Sequence, residues 1–361
     1  MKRALGLLLI PLLFSCGKSD SENGQNFTVT IDTVFIETGD ELLFLQSDLS
    51  HSDLANDQKQ LFNFTPKGEL EVIDLDSLKL VRRIVLEKEG PLGVGQPYAI
   101  QVDPTGRLVL FGLNELRIFS PGLDSMERYL LADDALSGLS PEVLAYFNPK
   151  IVDGEFLYAI YETHQQVPQG LAIVSLEKMT VKKIPLELTA RVEPFTYSLK
   201  SSSKGYEPIT LLLVDNRMIL STGYANEVFI VDLESGSVTV KTFQSELTAD
   251  KKPIPAKTAA ETINEMEELR REGEKSVKFG GFHFNSANRR FWRFSRDLDS
   301  EIGDSLVFKN VLTVFDEDLN QIAESAVPVD PFSKKFFKDG KLWSYVNVND
   351  ELGFAVIDFK F

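Results

Sequence analysis

The chain is organised around a repeat. An apolar pair followed by a polar residue recurs at Val72-Ile73-Asp74-Leu75, Ile118-Phe119-Ser120, Ile173-Val174-Ser175-Leu176, Ile230-Val231-Asp232-Leu233, Val314-Phe315-Asp316 and Val356-Ile357-Asp358. The intervals are 46, 55, 57, 84 and 42 residues. Self-similarity at such a period marks a repeat architecture, and four-stranded propeller blades take about 40–50 residues each. In each copy the polar residue ends a third strand and opens a short Ser/Asp/Lys-rich turn to a fourth.

The segments between the copies alternate as sheet faces require. In the second unit, Tyr98-Ala99-Ile100-Gln101-Val102 leads through Asp103-Pro104-Thr105-Gly106 into Arg107-Leu108-Val109-Leu110-Phe111 and Leu116-Arg117-Ile118-Phe119. Asp153-Gly154, Asp215-Asn216, Asp339-Gly340 and Lys67-Gly68 mark further turns. Strands without interleaved helices exclude a doubly wound sheet. The 26 phenylalanines against two tryptophans suit a sheet-rich core, because Phe brings no polar atom to satisfy.

The chain ends complete the pattern. The sixth unit has three strands, at about 335–337, 342–348 and 353–361, while residues 27–35 form an orphan strand ahead of the first unit. Pairing the two closes a ring and leaves no open sheet edge between them. The expected fold is therefore all-β: a six-bladed β-propeller over residues 27–361, closed by the N-terminal strand. One insertion, about 248–276, interrupts it and leaves room for a seventh blade. Within it, residues 258–271 are strong helix formers, with Thr258 as N-cap and Glu267 and Arg271 in the favourable i, i+4 order. Ile263, Met266 and Leu269 give that helix a narrow apolar stripe, suited to lying on the propeller surface, or to acting as a lid or docking element.

The first sixteen residues read as a leader. Lys2-Arg3 precede an apolar stretch of about a dozen residues, too short to span a bilayer comfortably, that ends in Leu13-Phe14-Ser15-Cys16. Cys16 is the sole cysteine, so no internal disulfide can form. Leu13-Phe14-Ser15-Cys16 resembles the lipobox of bacterial lipoproteins. That resemblance implies a signal peptide over residues 1–15, a diacylglycerol on Cys16 and membrane anchoring through its acyl chains. Residues 16–26 then form a polar tether, in which Asp20 and Glu22 are similar to an acidic surface-export signal of some Bacteroidota lipoproteins. The expected location is the cell envelope, as an outer-membrane lipoprotein facing the periplasm or the exterior. The formal charge is −16, and becomes −18 without Lys2 and Arg3. Such a chain repels phosphate backbones and anionic head groups, so nucleic acid is not an expected partner and a basic patch cannot supply the anchor.

The lipobox followed by this repeat resembles a family of Bacteroidota lipoprotein propellers, domain of unknown function 4221. The tract Glu87-Lys88-Glu89-Gly90-Pro91-Leu92-Gly93-Val94-Gly95 is similar to a Gly-Pro-x-Gly turn between blades of related six-bladed propellers. The resemblance covers residues 27–361 and implies a fold and a location, with no catalytic residues.

Binding belongs on the face that gathers the loops between second and third strands and those joining one blade to the next. Long segments fall there: residues 161–166, 222–226, 293–304 and 347–350, with the interblade segments 132–146, 189–207 and 245–277. Tyr161, His164, Tyr224, Arg293 and Arg296 are the candidate ligand contacts. The chain has three histidines. His51 falls in a first-to-second-strand connection on the opposite face, His164 in a long-face loop and His283 in an inner strand. At those different heights they do not form a tetrahedral zinc site. Asp297, Asp299 and Glu301 are similar to a calcium loop but lack the Gly and Glu spacing of an EF-hand, which leaves a looser calcium site there as the one cofactor to look for. No Gly-x-Ser-x-Gly elbow or phosphate loop is present, and no acidic pair is singled out for glycoside hydrolysis. The leading expectation is a binding or scaffold module for a peptide, glycan or protein. The alternative is a hydrolase or lyase acting on extracellular polymers at the channel mouth.

Overall fold

A computed structural model describes residues 28–360 apart from 133, 146, 201–204 and 304. The leader, Cys16 and the tether lie outside the described residues. Six antiparallel sheets follow one another as blades. Blade 1 comprises Ser52–Leu54, Gln60–Phe64, Glu69–Asp74 and Lys79–Val85. Blade 2 comprises Ala99–Val102, Leu108–Gly112, Glu115–Phe119 and Met126–Leu130. In blade 3 the inner strand is split into Val143–Leu144 and Lys150–Val152, followed by Phe156–Glu162, Pro168–Ser175 and Thr180–Pro185. Blade 4 comprises Thr210–Val214, Arg217–Ser221, Glu227–Asp232 and Val238–Thr242. Blade 5 comprises Lys278–Asn285, Arg290–Ile302, Ser305–Phe315 and Gln321–Ala326. Blade 6 takes Lys335–Lys338, Lys341–Val348 and Glu351–Lys360 from one chain end and Thr28–Phe35 from the other. Thr28–Phe35 lies antiparallel to Glu351–Lys360, from Thr28 opposite Lys360 to Phe35 opposite Gly353. The propeller is six-bladed and closed by its N-terminal strand.

The repeated polar residue has a local job. At the end of the third strand its oxygen accepts hydrogen bonds from the turn that follows: Asp74 from Ser77, Ser120 from Asp124 and Ser125, Ser175 from Lys178, Asp232 from Ser235, and Asp316 from Asp318 and Asn320. These are Asx- and Ser-type turns, in which a short side chain replaces a backbone partner and reverses the strand. The turn amides hold the Asp74 and Asp232 carboxyls below the usual carboxylate range. Asp358 has no such turn; it sits opposite Thr30 of the closing strand. At Asp153-Gly154 and Asp339-Gly340 both residues have positive φ, the conformation that two-residue hairpins need.

The core is divided among the seams between blades. Leu61, Ile73, Trp343 and Phe354 join blades 1 and 6, and Phe282, Phe291 and Phe315 meet Val214, Ile219 and Val228 between blades 4 and 5. Trp292 of blade 5 stands edge-on to Phe337 and Phe359 of blade 6, at 5.0 and 4.2 Å between ring centres. Each such side chain, fully buried, contributes about 1.5–3 kcal/mol. Around the central channel, polar side chains bind neighbouring inner strands. Asp53 accepts from Val102 N, and Gln101 bonds both N–H and C=O of Ile151. Asn148 donates to Ile209 O and Lys334 to Ser52 O, while Asn285, at the far end of its strand, donates to Gly340 O in the first hairpin turn of blade 6.

Three expectations need correction. The helix, α2 in a chain whose short α1 is Leu188–Val192, runs Ile263–Glu274 rather than 258–271. Ala259–Ala260 is held extended by parallel pairing with Ser198–Leu199, so the helix starts only after Thr262, whose hydroxyl accepts from Glu265 N. Residues 293–304 are not a loop: Arg290–Ile302 and Ser305–Phe315 form one long hairpin that carries the charged tract as paired strand. His51 immediately precedes the inner strand Ser52–Leu54, so it lies at the long-loop face, not the opposite one.

Lys335 is buried at the start of its inner strand. Its ammonium donates to Asp330 O and Ser333 O at 2.5 and 3.0 Å and lies 4.9 Å from the Phe294 ring centre. Burial lowers it from 10.5 to about 7, against the pull of Asp330 and Asp48. Its folded-state value is below its unfolded one. Between about pH 7 and 10.5 the folded chain therefore binds fewer protons at this group, which adds stability as pH rises through that window. Thermal denaturation of Lys335→Met should show a smaller gain between pH 7 and pH 9 than the unsubstituted chain. An unchanged pH slope would contradict this.

Candidate ligand-binding site

On the long-loop face, where blades 3, 4 and 5 meet, a cavity of about 530 Å3 opens beneath α2. The segment after blade 3 contributes Phe195, Tyr197 and Tyr206; the second-to-third-strand loop of blade 4 contributes Tyr224; α2 contributes Met266 and Gly273. The helix lies over the cavity because Met266, its buried residue, faces inward while Ile263 is exposed. Gly273 lets the helix come close to Tyr197: a Cβ on it would stand 2.6 Å from the Tyr197 hydroxyl and push that side-chain tip aside.

The deepest wall is a stacked pair. The Phe195 and Tyr224 rings lie 4.7 Å apart and 9° from parallel. Tyr224 is 2% exposed. Its hydroxyl oxygen accepts from Glu207 N at 2.7 Å, and burial pushes the phenol far up. The Glu207 carboxylate faces two ammonium groups, Lys252 at 3.6 Å and Lys278 at 3.2 Å. Tyr206 donates to Glu162 at 2.6 Å; burial raises the Glu162 carboxyl, and the Tyr206 bond pulls it down.

Of the five residues singled out in the sequence, the cavity wall includes Tyr224. Arg293 lies beneath it, 2% exposed, with its guanidinium over the Phe279 and Phe282 rings at 4.8 and 5.0 Å. It donates to the carbonyls of Gly280, Thr222, Ala225 and Glu227 and to Asn226 Oδ1. The loop that carries Tyr224 is thus tied to blade 5 by one side chain. Burial lowers Arg293 to about 9, so it stays charged at neutral pH. Arg296 binds Glu274 of α2 and lies over the Phe308 and Phe332 rings. His164 is exposed, two residues from Gln166 at the cavity rim. Tyr161 is packed in the seam of blades 2 and 3, under the Lys183 ammonium.

The sequence reading missed Phe195, Tyr197, Tyr206, Lys252 and Met266. Tyr197 and Tyr206 stand in an interblade segment already marked as long, so aromatics in that segment were the available signal. In the acidic tract 297–301, Asp297 accepts from Ala249 N and Glu301 pairs with Lys275. Among the described residues, no three His, Cys, Asp or Glu side chains converge as ion ligands. A second hollow of about 630 Å3 on the same face is lined by Phe44, His51, Phe64 and Lys88.

The family profile described as Domain of unknown function (DUF4221) matches residues 25–326. The chain belongs to the DUF4221 family. A crystal structure of a DUF4221 member from Bacteroides vulgatus superposes with a TM-score of 0.68 at 13% identity, covering 92% of this chain and 98% of that one. At that identity the likeness is one of fold. The propeller domain of Cps50 (Swd1) from Myceliophteria thermophila aligns at 10% identity over 84% and 82% of the two chains, with a TM-score of 0.46. BamB from Moraxella catarrhalis aligns at 9% over 86% and 82%, with a TM-score of 0.39. Neither of these carries an argument about this chain. No curated protein matches its sequence.

Removing the Arg293 guanidinium from this DUF4221 propeller takes a donor from four carbonyls at once, of which Ala225 O keeps the Glu227 amide, and a buried carbonyl left unpaired is costly. Arg293→Met should destabilise the fold by roughly 3–5 kcal/mol in urea titration. A loss under about 1 kcal/mol would show that the loop does not depend on it.

Proposed function

We propose that this DUF4221 chain is a lipid-anchored binding module of the cell envelope, held by a lipid on Cys16, that captures a peptide, glycan or other small ligand in the cavity beneath α2. The observation that carries this reading is a ready-made cavity whose aromatic wall is fixed before any ligand arrives. Phe195 and Tyr224 are stacked, Tyr224 is hydrogen-bonded to Glu207 N, and its loop is clamped by Arg293. A volume of about 530 Å3 falls in the range of small-molecule sites, and fixed walls reduce the ordering cost of binding. Both carboxylates on the cavity lining stand in ion pairs, Glu207 with two lysines and Glu274 with Arg296. That arrangement suits recognition better than proton transfer, which favours binding over hydrolysis.

Two measurements test the two halves of the reading. Cells given an alkyne fatty acid should label the chain, and Cys16→Ser should abolish the label and release the protein from the membrane fraction. Labelling that survives the substitution would remove the anchor. A fragment library screened by ligand-observed NMR should yield binders that Met266→Trp, which fills the cavity from the helix, displaces. Binders indifferent to the substitution, or none at all, would remove the cavity from the proposal.

A further inference from the structure

We propose that the cavity between blades 3, 4 and 5 takes a carboxylate-bearing small ligand of sugar-acid size, with Lys252 and Lys278 as its counter-charges. This rests on the reading of the cavity as a binding site and adds the chemistry of what enters it. The charged residues lining the cavity are Lys252, Arg270 and Lys278 against Glu207 and Glu274. Glu274 is already committed to Arg296. One carboxylate, Glu207, is therefore divided between two ammonium groups, with one oxygen toward Lys252 and the other toward Lys278. Arg270, exposed at the rim, adds a third cation. A local excess of positive charge stands out on a chain of formal charge −16.

Lys252 is the decisive residue. It is 6% exposed, yet its nearest carboxylate oxygen is 3.6 Å away, beyond the range of a good N–H···O hydrogen bond. Among the described residues no other acceptor reaches it; its remaining neighbour of note is the Tyr224 ring, 5.9 Å from ring centre to ammonium. The side chain is buried along its length, but the ammonium nitrogen keeps an opening to the cavity, so its hydrogen-bonding directions point there and only a weak cation–π contact and a long ion pair hold it from the protein side. An incoming carboxylate would take the place of water as acceptor and, in a cavity partly enclosed by protein, be attracted more strongly than at an open surface. The half-buried Tyr197 and Tyr206 side chains on the lining offer flat apolar rings, which suits a ring bearing hydroxyls and one acid group.

Isothermal titration calorimetry of the full chain with glucuronate and with glucose, its uncharged counterpart, tests this. Glucuronate should bind, and glucose should bind about ten-fold more weakly or not at all. Lys252→Met should remove the difference. Should that variant fail to fold, Lys278→Gln, at a partly exposed position, should lower glucuronate affinity several-fold while circular dichroism stays unchanged. Equal affinity for both sugars, or a preference that survives both substitutions, would overturn the charge assignment. No heat from either sugar up to about 10 mM would overturn the sugar-acid assignment. Fragments displaced by Met266→Trp would then still keep the cavity as a binding site, so the two failures are distinguishable.

Discussion

Eight residue pairs between Thr28–Phe35 and Glu351–Lys360 hold the ring shut. A propeller sheet stack has no intrinsic end: every blade leans its faces on two neighbours, and the last must meet the first. Were these strands unpaired, blade 6 would expose an open edge and the seam of blades 6 and 1, built on Trp343, Phe354, Leu61 and Ile73, would lose its outer support. Joining the two ends of the chain in one sheet makes escape of either end unfavourable, because it breaks a ladder of backbone hydrogen bonds. The inner strands add a second hoop. Side chains such as Asp53 and Gln101 satisfy the free edge groups of the neighbouring inner strand, which would otherwise face the channel unpaired.

A closed ring lets irregular segments be positioned accurately. The cavity is assembled from pieces distant in sequence: the segment after blade 3, one loop of blade 4, and the insertion after blade 4. Their relative placement depends on a few buried bonds. Arg293 reaches from blade 5 into the blade 4 loop, and Ala259–Ala260 pairs with Ser198–Leu199 to bring the insertion across. Arg296 and Lys275 tie the helix to the long hairpin of blade 5 through Glu274 and Glu301. Charged side chains thus serve mostly as fasteners here, and Lys252 differs from them in having so little to hold.

The ring was legible in the sequence because blade periodicity is a local signal. The apolar pair and its polar follower reflect one strand end and one turn, and the turn chemistry of Asp74, Asp232 and Asp316 needs no knowledge of the rest of the chain. The orphan strand at residues 27–35 and the three-stranded last unit then implied closure. The site was less legible, for physical reasons. Helix propensity placed the helix start at Thr258, but pairing with Ser198–Leu199 overrides propensity as far as Thr262. The Asp- and Glu-rich run 297–301 reads as loop, yet pairing across a long hairpin keeps it extended. Arg293 reads as a ligand contact on a loop, whereas its donors are used by backbone carbonyls of a neighbouring blade, a partnership no local pattern announces. Tyr224 was found because a tyrosine in a short loop of the long-loop face has few places to go except the cavity.

The direction of the closing strand also sets the face of the ring on which the described chain begins. Thr28 sits opposite Lys360, at the end of the blade where third strands turn tightly into fourth, and the strand then climbs toward the face that bears the cavity. The first described residue therefore lies on the face opposite the cavity. For a chain held through Cys16, as proposed above, the point where the ring is held and the mouth of the cavity lie on opposite faces, like the stalk and the bowl of a dish. A ligand could then arrive from the surrounding medium without first passing between protein and bilayer.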